Sequence, residues 1–531
     1  DITGQLREIV AEELGVDPSS LAADIKDLES AYDGSTLLFA ARLVPEPVAA
    51  NLEETTWNLW QLDLERMQAS YLIPSRVKRN EGREAGGAQD IAPHYLPDDR
   101  IVFSSTRQAS SKARQLNEGR AQLFSALDQD GDEPAAVLHI YDPQLRGEEF
   151  QQISFNLSHD LDPTVMASGE ILFSRWNNTV GDHISLFKLR PSGAGLSPLY
   201  GFHSRDSGTD GADIAFIRPR ELDDGRLAAV TQGYRSPSLG GEIILIDSDE
   251  YGDYEQGLWH NSAGTGPGHQ SLTATEVRSD NVLSPGGQYG SVYPLRDGTG
   301  RLLVTWSECR VVDTDADPSP DGIPEAGDLK PCTLQPDNEN SAPPLYGAWV
   351  YDPSADTQRP VVLAEEGYWI SEVVAAEMRD FPDVLPRQEG AGELAAVGLG
   401  RLLIDSVYDV DGTDRSAAGI TRHASPGTAP FRERPARFLR IFQPVPLPDP
   451  DVFEIPGFAF GVSNRFGFRE ILGYVPIEPD GSATAIVPAQ RAFSFDVLDE
   501  RGRRVGARHN YWLQLAPGET LHCTGCHNHN S

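Results

Sequence analysis

"DIAPHYLPDDRIVFSSTR" (Asp90 to Arg107) and "DLDPTVMASGEILFSRW" (Asp160 to Trp176) are two copies of one phrase. Each begins D-x-x-P, passes through a turn built on Asp or Gly, and ends in an apolar, β-branched run. Such turns need φ > 0, which Gly adopts without steric cost. The run after the turn suits a buried strand. Weaker echoes are "SAYDGSTLLFAAR" from Ser30, "RELDDGRLAAVTQG" from Arg220 and "VYPLRDGTGRLLVTWS" from Val292. Units repeating every roughly 50–75 residues have room for one four-stranded sheet each, the size of a propeller blade with loop insertions.

The phrase resembles the TolB-type β-propeller repeat. Strand–turn–strand units of this chemistry also build sandwiches, but the repetition favours the propeller. The expected fold is therefore mainly β, with a propeller of six or seven blades over residues 30–379. Before it, residues 1–29 hold "LREIVAEEL", with Leu6, Ile9, Val10 and Leu14 at helical spacing. That helix is expected to pack on the propeller. Residues 380–450 contain "RDFPDVLPRQ" and "FQPVPLPDPDVF". Proline fixes φ and removes a donor, so this stretch reads as linker or edge segments. Residues 451–531 alternate apolar and polar around the turns "EPDGS" and "DERGR", the pattern of a small β-sandwich-like module.

At 531 residues, with 50 Gly and 39 Pro, the chain is long enough for several cores and rich in turns. Its formal charge of −36 repels nucleic acid and anionic membrane surfaces. The same charge serves solubility, or guides a basic partner such as another redox protein. No apolar run approaches the roughly 18–20 residues a transmembrane helix needs. The opening "DITGQL" has neither initiator Met nor a basic leader, so any signal peptide is expected to lie outside this numbering.

The four cysteines form two pairs. Cys523, Cys526 and His527 spell C-x-x-C-H, in which two thiols can bond one haem's vinyl groups and the adjacent imidazole can reach its iron. Zinc is the rival, but wants four ligands, and His522 and His529 would crowd one short loop. A plain disulfide is the third reading. Cys309 and Cys332 bracket an acidic insertion and read as a disulfide, with separate buried thiols as the alternative. Haem c attachment and a structural disulfide both imply the periplasm or cell surface. Inside the insertion, Asp313, Asp315, Asp317 and Asp321 alternate ahead of a Gly. They could wrap Ca²⁺, although position twelve counted from Asp313 is Pro324 rather than the Glu of an EF-hand, and a solvated acidic loop also fits.

The stretch "ILGYVPIEPDGSATAIVPAQRAFSFDVLDERGRRV…HNYWLQLAPGETLHCTGCH" resembles the hydrazine synthase alpha-subunit-like family. "DNVLSPGGQYGSVYPLRDGTGRLLVTWSECRV" and "APPLYGAWVYD" are similar to its inner blades. The resemblance implies a periplasmic propeller and an adjoining β domain carrying one covalent haem c, with thioethers at Cys523 and Cys526 and His527 as proximal ligand. Tyr511 and Trp512 are expected to pack on the porphyrin and Arg508 to pair with a propionate. Distal ligand candidates are His509, His423 and Met378, or His529 serving a haem on a neighbouring chain.

Three functions fit. The first expected is an electron-transfer or scaffold cytochrome docking a redox partner or further cytochrome subunits. The second is a haem enzyme acting on a small nitrogen or oxygen species. The third is a surface binding propeller with a structural haem, for which "LWHNSAGTGPGHQ", with His260 and His269, is a candidate loop.

Overall fold

The computed structural model describes every residue except 1, 46–55, 74–87, 109–115, 117–118, 120–125, 128–133, 146–149, 178–182, 235, 237–238, 262–263, 265, 281, 314–327, 335–339, 388–391, 411, 447–454, 461–467, 507–508, 510 and 527–531. The fold is mainly β, in antiparallel sheets with one parallel pair in the C-terminal module. Both copies of the opening phrase begin sheets. Leu21–Ser30, Asp90–Tyr95 and Asp160–Val165 each start a four-stranded sheet in simple up-and-down order. Ile214–Glu221 and Gln288–Pro294 start two further antiparallel sets, joined into one eight-stranded sheet through Gly241 opposite Tyr289.

These five first strands, with residues 372–374, line one cavity. Ser371–Arg379 therefore takes a sixth position around it, beside the first and fifth sheets. Leu28 N donates to Glu372 Oε2 at 2.8 Å and Tyr293 Oη to Ala375 O at 3.4 Å. Arg379 N donates to Tyr32 O at 2.9 Å. Among the described residues, five of these six positions carry sheets.

The D-x-x-P phrase has a structural reason. The first four inner strands each slip register around a residue at positive φ: Asp27, Ala92, Asp162 and Arg218. Such a bulge bends the strand and frees an amide toward the cavity. Neighbouring carboxylates take those amides: Asp27 Oδ2 accepts from Ala92 N at 2.9 Å, and Asp162 Oδ2 from Arg218 N at 3.0 Å. The turn glycine also has a steric role. Gly169 sits at φ +78°, and a Cβ there would stand 2.1 Å from Asp383 O of the returning chain.

Apolar side chains of facing sheets fill the gaps between them, such as Phe173 and Phe187 with Val102 and Leu138. Thr3–Leu14 forms the expected helix, burying Leu6, Val10 and Ala11 against Phe39, Trp60 and Leu62 of the first sheet. Among the described residues no helix is long and apolar enough to cross a membrane.

The chain from 399 onward makes two three-stranded sheets over a shared core that includes Leu402, Leu439, Val487 and Phe493. Here the structure departs from the linker expected over residues 380–450. Leu399–Ile404 and Phe438–Val445 are the central strands of those two sheets. Their apolar alternation buries Leu402, Ile404, Leu439 and Ile441, and burial outweighs the prolines, which cluster at or beyond the strand ends.

Glu29 closes the ring. Its carboxylate, 1% exposed, meets Arg220 Nη1 at 3.0 Å, His94 Nε2 at 3.3 Å and the Arg379 guanidinium. Burial works against the charge, but the three partners hold its pKa down at about 2, while burial depresses His94 to about 4. Burial pushes Glu372 up to about 7 despite Arg218 nearby. A depressed His or Glu contributes stability that is lost as pH falls, whereas a raised Glu contributes stability that is lost as pH rises. The ordinary values are 6.5 for His94 and 4.5 for Glu29 and Glu372. Stability should thus fall steeply below pH about 4.5, where only the acid-side losses act. Denaturation midpoints measured against pH should show Glu372→Gln raising stability at pH 8 and leaving it unchanged at pH 4. Glu29→Gln, which strands buried cations, should cost about 3–5 kcal/mol by the same measurement.

Candidate haem-attachment site

Cys523 and Cys526 lie where the last described strand leaves the second module. Thr520–Cys523 runs parallel to Leu399–Ile404, with Cys523 beside Ile404. Asp405 N then donates to Cys523 O at 2.9 Å, and Cys526 N to Asp409 O at 2.8 Å. The chain turns tightly between the cysteines because Gly525 is small: a Cβ there would meet Asp409 O at 2.8 Å. The two cysteines are not joined to each other by a disulfide, and both are half-buried. They are therefore presented together, three positions apart, at a tethered edge.

Cys523 packs on the module core beside Tyr511. The Tyr511 ring stands edge-on to Phe187 at 5.4 Å and to Phe202 at 5.6 Å, both from the sheet begun by Asp160–Val165 and the loop after it. His509 lies 4.5 Å from Tyr511 and 5.2 Å from Phe495, its Nδ1 within 2.9 Å of Tyr511 O. Cys523 thus lies beside an aromatic wall shared by both modules, a surface suited to a flat apolar ring, while Cys526 Sγ lies 3.8 Å from Val407 O. Burial, then the Cys526 thiol and the Asp405 carboxylate, pushes the Cys523 thiol up to about 11. Burial likewise raises the Tyr511 hydroxyl, with Cys523 adding to it. His522 points outward to Asp405, Nε2 to Oδ1 at 2.7 Å, so it is held away from the cysteine pair.

The wall is stitched in place by buried polar groups. Gln514 Nε2 donates to Ile153 O and Gly193 O, both at 2.8 Å, while its Oε1 accepts from Phe155 N at 2.9 Å. Glu519 Oε1 accepts from Gly195 N at 2.9 Å. Arg175, fully buried opposite Asp160, donates through Nη2 to Phe155 O at 3.1 Å and Trp512 O at 3.3 Å. Gln514 and Glu519 lie in "QLAPGE", legible in the sequence only as a family mark; Arg175 gave no signal beyond its repeat.

Other expected residues fall elsewhere. Trp512 is 2% exposed and fills the joint between modules with Phe155 and Phe442, so it does not lie open to a porphyrin. Burial of the indole against both modules outweighs its nearness in sequence to the cysteines. His423 is buried beside Tyr408, and Met378 is 80% exposed on the sixth segment. Cys309 and Cys332 form the expected disulfide. Asp313 pairs with Lys330 at 3.6 Å; Asp315, Asp317 and Asp321 lie outside the described residues, as do Arg508, His527 and His529. His269 is buried against the Tyr200 hydroxyl at 2.8 Å, a packing role, while His260 is exposed. Among the described residues no group of three or more His, Cys, Asp or Glu is placed to hold a metal ion.

Residues 453–528 match the family described as the hydrazine synthase alpha subunit middle domain. The fold is similar to that of Kuenenia stuttgartiensis hydrazine synthase, with a TM-score of 0.59 at 16% identity. In that module and in its fold, the chain is hydrazine synthase alpha-like. The match covers 96% of this chain but only 63% of that one, so the chain spans less than two thirds of the relative's length. A Mycobacterium tuberculosis puromycin-hydrolyzing peptidase is similar over 65% of this chain and 54% of its own, at 12% identity and a TM-score of 0.30, too distant to bear on function. No curated protein matches the chain by sequence.

The raised thiol gives a direct check on this geometry. In haem-free protein, alkylation of Cys523 followed peptide by peptide should reach half its maximal rate near pH 11. Asp405→Asn, which removes a neighbouring negative charge, should shift that midpoint downward.

Proposed function

We propose that this chain is a haem c-bearing redox subunit acting on a small nitrogen species, within a multi-subunit assembly like the hydrazine synthases it resembles. The observation that carries the reading is the placing of Cys523 and Cys526, three positions apart and not joined to each other, with Cys523 beside Tyr511 at the joint with the large domain. These residues fit a haem: Cys523 and Cys526 would hold it by thioethers, His527 would ligate it, and Tyr511 would face its edge or plane. Bound there, the haem would supply the redox chemistry and a site for a small ligand. The chain's own part is to fix the ring's position, through the Gly525 turn, and to shield one side of it with aromatic carbon.

The likeness to hydrazine synthase favours small-molecule chemistry over simple electron relay. Of the second-ligand candidates, His423 is enclosed in the module and Met378 is 80% exposed on the sixth segment, whereas His509 stands against Tyr511 and Phe495. In this reading the sheets over residues 30–379 are blades of a β-propeller with six radial positions, and the second module is the haem carrier. The disulfide, together with the haem c chemistry of this reading, favours a location outside the cytoplasm.

A redox and CO-difference spectrum of the purified protein tests the proposal, with Cys523→Ala/Cys526→Ala as control. The expected result is a haem retained through acid–acetone extraction, absent from the control, whose ferrous form binds CO. A low-spin haem indifferent to CO would overturn the small-molecule reading in favour of electron transfer. Absence of covalent haem would overturn both.

A further inference from the structure

The sixth position around the cavity holds one extended segment where the other five hold sheets. Ser371–Arg379 runs in the same direction as its neighbours: Glu372 lies beside Leu28, and Glu377 Oε1 accepts from Arg296 N at 2.9 Å further along. Its backbone is open on the outer side. Among the described residues, none of the amides from Trp369 to Met378 donates a hydrogen bond. Only the carbonyls of Ser371 and Ala375 accept one, from Arg218 and Tyr293. An extended run with unpaired donors is a template for another strand.

The side chains around it agree. The preceding strand, Thr357–Val362, is the outermost of its sheet, with Val361 and Val362 more than half exposed. Leu363 at 67%, Tyr368 at 70% and Met378 at 80% exposure continue the apolar surface across the gap. The N-terminal helix covers the facing side of the first sheet, so the opening lies between that helix and Thr357–Val362. Contiguous exposed apolar surface of this kind marks an interaction site. Its rim is acidic: Glu365, Glu366 and Asp380 are exposed, and of these Glu366 is ion-paired, to Arg310.

We propose that this opening receives a β-strand from a partner polypeptide, one alternating apolar with basic side chains, which adds to Trp369–Met378 and completes the sixth blade. Backbone bonds would supply affinity and the acidic rim would select the sign of the partner's charge. The surface is separate from the cysteine site and does not depend on the haem reading.

The test is hydrogen exchange on the full chain, alone and with a ten-residue probe peptide alternating valine and lysine; a valine–glutamate peptide is the control. Amides of Trp369–Met378 should exchange quickly in the free protein and at least tenfold more slowly with the lysine probe, while the glutamate peptide has little effect. Ala376→Pro removes one of the open donors without breaking any bond in the chain, and should weaken probe binding at least tenfold with an unchanged melting temperature. Three results would overturn the proposal. One is slow exchange of these amides in the free monomer, as slow as in Gln288–Pro294. Another is protection that rises with protein concentration alone, which would mean a second copy. The third is equal protection by both peptides.

Discussion

One buried carboxylate ties the large domain together. Glu29 sits on the first inner strand and reaches His94 on the second, Arg220 on the fourth and Arg379 on the sixth. Thr164 of the third bonds both His94 and Arg220, at 3.3 and 3.4 Å. The fifth contributes Tyr293, whose ring lies 6.0 Å from the Arg220 guanidinium. A charge so deeply buried persists only when its partners are fixed, so Glu29 penalises any displacement of an inner strand. The hub also holds the segment that carries no sheet among the described residues: Arg379 ties it to Glu29 of the first sheet.

The second module depends on that rigidity. Its aromatic wall is half built from the large domain, since Phe187 and Phe202 flank Tyr511. Gln514 and Arg175 place polar bonds across the joint where burial leaves them no water to exchange with. Moving the module by an ångström would strand several buried donors at once. The cysteines are therefore positioned by the whole fold, through a parallel strand pair, rather than by a local loop.

Much of this was legible in the sequence, and the failures have physical causes. The repeated D-x-x-P phrase marked the sheets because the bulge it encodes recurs at the cavity. The helical spacing marked the N-terminal helix, of which Leu6 and Val10 are buried on the first sheet and Ile9 partly so, while Leu14 is exposed. Phe438–Val445 was hidden by the prolines at its ends, and Leu399–Ile404 by being read into the same proline-rich stretch, neither of which says anything of the apolar alternation within each strand. Trp512 was assigned to the cofactor by proximity in sequence, yet the chain turns there and sends the indole into the joint. The missing sheet at the sixth position had no signature, because the absence of pairing partners is a property of the assembled ring. The aromatic wall joins residues more than 300 positions apart, a distance no local pattern spans.

The central claim is that the Cys523–Cys526 pair exists to hold a haem. The mass of the denatured, intact protein isolated from its native host decides it most directly. The account predicts the mass of the chain plus one covalently retained haem, lost on substituting both cysteines. A bare chain mass with two free thiols, or one lighter by the two hydrogens of a Cys523–Cys526 disulfide, would contradict it.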